Sequence, residues 1–73
     1  MDWRFNPDNG CKQYMEDNFI YSIGEVDGRM KLLIENMTTR KSKIFNLMNK
    51  DQFFVEREAE TVIKREKENM TMP

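Results

Sequence analysis

The stretch Phe19-Ile20-Tyr21-Ser22-Ile23-Gly24-Glu25-Val26-Asp27-Gly28-Arg29-Met30-Lys31-Leu32-Leu33-Ile34 constrains the fold more than any other part of the chain. Two β-rich runs flank Asp27-Gly28, a pair suited to a two-residue type I′ turn, where both central residues take positive φ. That turn sets Val26 opposite Arg29, Ile23 opposite Leu32 and Tyr21 opposite Ile34. One face then carries Phe19, Tyr21, Ile23, Met30, Leu32 and Ile34, and the other carries Ile20, Ser22, Gly24, Lys31, Leu33 and Glu35. A slip of one residue would scatter the apolar set over both faces, so pattern and turn specify the same register.

The flanking segments extend this hairpin into a meander. Asn36 to Lys41 is polar and turn-forming, and Lys43–Leu47 is expected to return as a short strand. A helix is expected from about Lys50 to about Asn69, with Asn49 as N-cap and Gln52 completing a capping box. Met48 and Phe53 have the spacing of a hydrophobic staple. The buried stripe is Val55, Ala59, Val62 and Ile63, at i, i+4, i+7 and i+8, and Glu60 and Lys64 are spaced as a favourable i, i+4 pair. Upstream, Asn6-Pro7-Asp8-Asn9-Gly10 reads as a turn. Asp2–Phe5 and Cys11–Met15 make a loose hairpin around it, with a short helix over Lys12–Asp17 as the competing reading.

The fold expected is therefore α+β: a small antiparallel β-meander of three to five strands with one C-terminal helix packed on a face. Residues 1–73 form a single domain. Its parts are an N-terminal turn or hairpin segment over 1–18, the meander over 19–48, the helix over 49–69 and a frayed tail over 70–73. With 38% hydrophobic against 34% charged residues, core material is scarce, which leaves room for a homodimer or a partner that completes the core. Lys43 alone gives weak protection against edge pairing.

The chain has no histidine and one cysteine, Cys11. That removes the commonest general base near neutral pH and nearly every structural zinc pattern. No catalytic residues, cofactor or metal site are expected. Cys11 lacks a histidine to activate it and reads as a small filler. The acidic series Glu56, Glu58, Glu60, Glu66 and Glu68 is interleaved with Arg57, Lys64, Arg65 and Lys67. It reads as an exposed, salt-bridged helix face rather than a carboxylate pair or a calcium loop. A lone cysteine implies a reducing compartment, and no apolar run reaches the length of a membrane span, so a soluble, cytoplasmic protein is expected.

A small regulatory or inhibitory protein that binds another protein is the functional expectation. Phe, Tyr, Met, Ile, Asn and Lys together supply 33 residues and Gly, Ala, Arg and Pro only 11. This bias towards residues with AT-rich codons suits an accessory protein of a phage or mobile element, and equally a gene of an AT-rich host. Phe54 stands out because the helical stripe leaves it well over 90° away, at about 100° per residue. It is either wrapped by Trp3 and Phe5 or exposed for a partner. Met37, alone in a polar loop, and whichever of Trp3 and Phe5 stays exposed complete the protein-binding candidates. The alternative is a nucleic-acid-binding module using Arg40, Lys41, Lys43 and Lys50, set against a net charge of −1.

Overall fold

A computed structural model describes residues 1–71, and the side chains of Gln52, Asn69, Met70 and Thr71 are outside the description. Five strands form one sheet in sequential order: β1 (Arg4–Asn6), β2 (Cys11–Glu16), β3 (Phe19–Val26), β4 (Arg29–Asn36) and β5 (Ser42–Asn46). Every neighbouring pair is antiparallel. Among the described residues a single helix, α1 (Gln52–Thr71), lies across one face. The α+β meander with a C-terminal helix is the architecture found.

The central hairpin has the register that its pattern specifies, with Val26 opposite Arg29, Ile23 opposite Leu32 and Tyr21 opposite Ile34. Asp27 and Gly28 both take positive φ, 53° and 77°, as a type I′ turn requires. The N-terminal segment is a true hairpin, β1 with β2, and the short helix over Lys12–Asp17 does not form. Lys12, Tyr14 and Glu16 instead alternate onto the helix-facing side of β2. Asn6 and Asn9 build the turn between β1 and β2. Their side-chain oxygens accept from the backbone N–H groups of Asp8 and Cys11, and Gly10 turns at φ 72°. The link from β2 to β3 is a second two-residue turn, Asp17-Asn18, with Asp17 at φ 55°; Asp tolerates this region better than most residues.

Between sheet and helix lies one core. Tyr21, Ile23, Leu32 and Ile34 from the central strands meet Val55, Ala59, Val62 and Ile63 from α1, and Leu47 closes one end. Trp3, Tyr14, Phe19, Met30 and Phe45 pack around it. Four rings run in a row from the β1 side of the sheet into the centre: Trp3, Tyr14, Tyr21 and Phe19, with centroids 6.0, 6.0 and 6.1 Å apart. Burial pushes the Tyr21 phenol above its usual range, with the Lys67 ammonium opposing this only in part. Tyr21 is thus a neutral packing group.

The helix starts differently from the sequence expectation. Asp51, not Asn49, is the N-cap: its Oδ1 accepts from the Phe53 and Phe54 amides at 2.9 and 3.4 Å, and its carbonyl accepts from Val55 at 2.8 Å. Gln52 becomes the first helical residue, and the Asn49–Gln52 capping box is not used. Asp and Asn cap about equally well, but the anionic side chain gains from the helix dipole and the Asn49 amide is engaged elsewhere. The Met48–Phe53 staple is also absent, since both side chains are exposed. At the other end, the helix takes in Met70 and Thr71, where a frayed tail was expected; 72 and 73 lie outside the described residues.

The acidic series does not form a surface ladder along the helix. Glu56 pairs with Lys12 at 2.8 Å, Glu66 with Lys43 at 3.7 Å, and Glu60 accepts from the Trp3 indole at 3.0 Å. Lys67 reaches Glu16 at 3.1 Å. Glu60, expected to pair with Lys64, is instead engaged by Trp3, the residue just before β1. These carboxylates border the apolar stripe, so they meet cations or an indole N–H on the flanks of the sheet. They tie α1 down between β2 and β5, over β3 and β4.

The opposite face of the sheet has no covering element among the described residues. Its cross-strand rows include Met15–Ile20–Glu35–Ser42 and Gln13–Ser22–Leu33–Ile44. Ser22 is buried even here, accepting from Gln13 Nε2 at 3.1 Å. The Cys11 thiol lies against Gly24, where an added Cβ would fall 2.7 Å from the sulfur. Cys11 is half-buried, and Gly24 gives it room.

Candidate protein-binding surface

The link between β5 and α1 sets the position of the first helical turn. Leu47 extends the ladder, its N–H donating to the Met30 carbonyl at 2.9 Å. Glu58, two turns into the helix, then holds the next two residues. Its carboxylate accepts from the Met48 amide at 2.9 Å to each oxygen, and from the Asn49 amide and side chain at 3.0 Å. Partial burial pushes the Glu58 pKa up, but the hydrogen bonds from the Met48 and Asn49 amides and the Asn49 side chain outweigh it. The net result lies below the ordinary value of 4.5.

A carboxylate whose folded pKa is depressed adds stability that is complete above the unfolded pKa and is lost as pH falls through the folded value. Glu58→Ala should therefore melt lower than the parent at pH 7, by about 1 kcal/mol or roughly 5 °C after solvent screening is allowed for. The gap should narrow once pH drops below 4.5. Thermal melts of both proteins at neutral and acid pH check this. A gap that is constant with pH would mean that the Glu58 charge plays no part.

With the link pinned, α1 projects two adjacent rings into solvent. Phe53 is 61% and Phe54 54% exposed. The rings meet edge to face at 5.6 Å, and the Arg57 guanidinium sits 5.6 Å from the Phe53 centroid. Adjacent helical residues point about 100° apart, and Val55, Ala59, Val62 and Ile63 already fill the packing face. The two rings therefore cannot both join the core. Met48, on the same link, is 88% exposed.

Of the two readings for Phe54, exposure is the one found. Trp3 does not wrap it: the indole is half-buried against Tyr14 and hydrogen-bonded to Glu60. Phe5 is the more exposed of that pair, at 65%. It borders a depression shared with Lys12, Lys50 and Val55 at the same end of the sheet. Met37 is exposed too, but it lies at the opposite end, where its amide donates to the Asn18 carbonyl at 2.7 Å. The four candidates thus do not form one patch. Phe54 and Phe5 lie towards the helix start and Met37 lies apart from them. Sequence reasoning missed Phe53 and Met48 by assigning them to the staple. The signal was present, since a Phe-Phe pair beside a complete stripe leaves at least one ring outside.

The four cations divide as well. Arg40 and Lys41 belong to the β4–β5 loop, where Arg40 takes φ 62° and Asn36 organises the turn through its carbonyl and side chain. Lys43 leans on Glu66. Lys50 lies at the far end of β5, beside Arg29 and Met48. Among the described residues, no group of three His, Cys, Asp or Glu side chains is placed to hold a metal ion. No helix there is long and apolar enough to cross a membrane. Comparison with protein-family models, with curated proteins and with solved structures finds no match to this chain.

Proposed function

We propose that this is a small, non-enzymatic regulatory or inhibitory protein that acts by binding another protein through the first turn of α1. The observation that carries the reading is the exposed Phe53–Phe54 pair, held on a capped helix by Asp51 and Glu58 and left out of the core. Interfaces concentrate their energy in a few large apolar anchors, with aromatic rings prominent among them. Arg57 beside Phe53 suits a partner whose apolar pocket has an acidic rim. The residue usage, weighted to amino acids with AT-rich codons, fits an accessory protein of a phage or mobile element as well as a gene of an AT-rich host, and action in the cytoplasm is part of the reading.

Affinity capture from host-cell lysate, run in parallel with the parent protein and with Phe54→Ala, tests this. A specific partner should be retained by the parent and lost by the variant, with affinity weakened more than about tenfold, or 1.4 kcal/mol. Equal retention by both would refute the assignment of Phe54. Indifference to lysate proteins, together with elution from heparin that depends steeply on salt, would favour the nucleic-acid reading through the separated cations instead.

A further inference from the structure

The two edges of the sheet are unequal. β1 is three residues long and runs directly into Pro7, which has no N–H to offer. β5 is five residues long, contains no proline and has no neighbour on its outer side among the described residues. The phase of its hydrogen bonds follows from the bonds that bracket it. Leu47 N–H donates to the Met30 carbonyl and Asn36 N–H to the Lys41 carbonyl. In the register Leu32–Phe45 and Ile34–Lys43, positions 41, 43, 45 and 47 therefore bond inward to β4. Ser42, Ile44 and Asn46 turn their backbone N–H and C=O groups outward.

We propose that β5 is a homodimerisation edge, pairing antiparallel with β5 of a second copy about a two-fold axis at Ile44. Three features make the strand self-complementary. Ile44 is the middle residue of the strand and also the middle of the three outward-bonding positions, so one register, Ile44 opposite Ile44 and Ser42 opposite Asn46, satisfies all the outward groups of both strands. The same register sets Lys43 opposite Phe45 of the second copy rather than opposite another lysine. Lys43, the one charged side chain of β5, is already drawn to Glu66 of its own helix, so it does not guard the edge.

The side chains agree with the backbone. Ile44 is 65% exposed on the uncovered face, next to Leu33 in its row. Pairing extends that row into Leu33–Ile44–Ile44–Leu33 across a ten-stranded sheet. The two-fold axis is perpendicular to the sheet and leaves both helices on the same side. Each helix lies over β3 and β4, so their axes stand about 19 Å apart, four strand spacings, and helices about 10 Å across do not collide. A net charge of −1 per chain gives little repulsion between copies.

Sedimentation of the parent protein over a wide concentration range tests the proposal, alongside amide hydrogen exchange at both extremes. The expected result is a mass that rises from the 8.8 kDa of one chain to twice that value. The Ile44 amide, open to solvent in the single copy, should become protected as the dimer fills. Ile44→Lys places two ammonium groups across the axis and touches no core contact. It should weaken dimerisation at least about tenfold with the thermal melt of the diluted protein unchanged. A single-copy mass at every concentration overturns the proposal. So does a dimer in which the Ile44 amide still exchanges freely.

Discussion

Leu32→Ala should melt about 20 °C below the parent protein. Leu32 is 0% exposed; it lies between Ile23 and Phe45 in its cross-strand row, under the helix. Removing three carbons from such a site costs the transfer free energy and leaves a cavity, together about 2–5 kcal/mol. A 73-residue domain has about 4–11 kcal/mol of stability in all, and each kcal/mol moves the midpoint of a chain this size by about 4–8 °C. Melting followed by far-ultraviolet circular dichroism, at a concentration low enough to exclude self-association, gives the number. A fall of less than about 5 °C would mean that the single copy does not depend on this core.

Gly28→Val is expected to cost the next largest amount, about 10 °C, for an entirely different reason. An added Cβ at Gly28 would meet nothing within 4 Å, so neither packing nor a clash with the rest of the protein is involved. The penalty is in the backbone. Gly28 holds φ 77°, a region that costs an L side chain about 1–2 kcal/mol and a β-branched one more. Gly28→Asn provides the contrast, because asparagine visits this region readily and should melt close to the parent. If valine and asparagine lower the midpoint equally, the type I′ geometry at Asp27-Gly28 is wrong.

These two positions explain why the middle of the chain was legible from its sequence. Asp27-Gly28 fixes the turn by backbone chemistry, and the alternation on either side fixes the register by burial, so two independent constraints agree. The helix was legible in its interior because Val55, Ala59, Val62 and Ile63 repeat at one period. Its start was less so. Asn49 and Asp51 are both good caps, and the choice between them rests on Glu58, nine residues away, which takes the Asn49 side chain. The partners of Glu56, Glu60 and Glu66 were hidden for a similar reason. A charged residue beside an apolar stripe reads as surface until its partners on the sheet side, Lys12, Trp3 and Lys43, are positioned. The β2–β3 link was missed because Asp17-Asn18 contains no glycine and its positive φ falls on an aspartate. For the candidate surface, the misfit of Phe54 with the stripe was visible in the sequence. Phe53 was concealed by a staple that needed the cap at Asn49.

The claim at the centre of this account is that Phe54 lies outside the core and is free for a partner. The thermal midpoint of Phe54→Ala, measured at low concentration without partner, tests that claim most directly. An exposed ring whose helix is anchored by Val55, Ala59, Val62 and Ile63 should shift the midpoint by less than about 3 °C. A drop of about 8 °C or more would contradict the account: Phe54 would then belong to the core, and the binding surface would have to lie elsewhere on the protein.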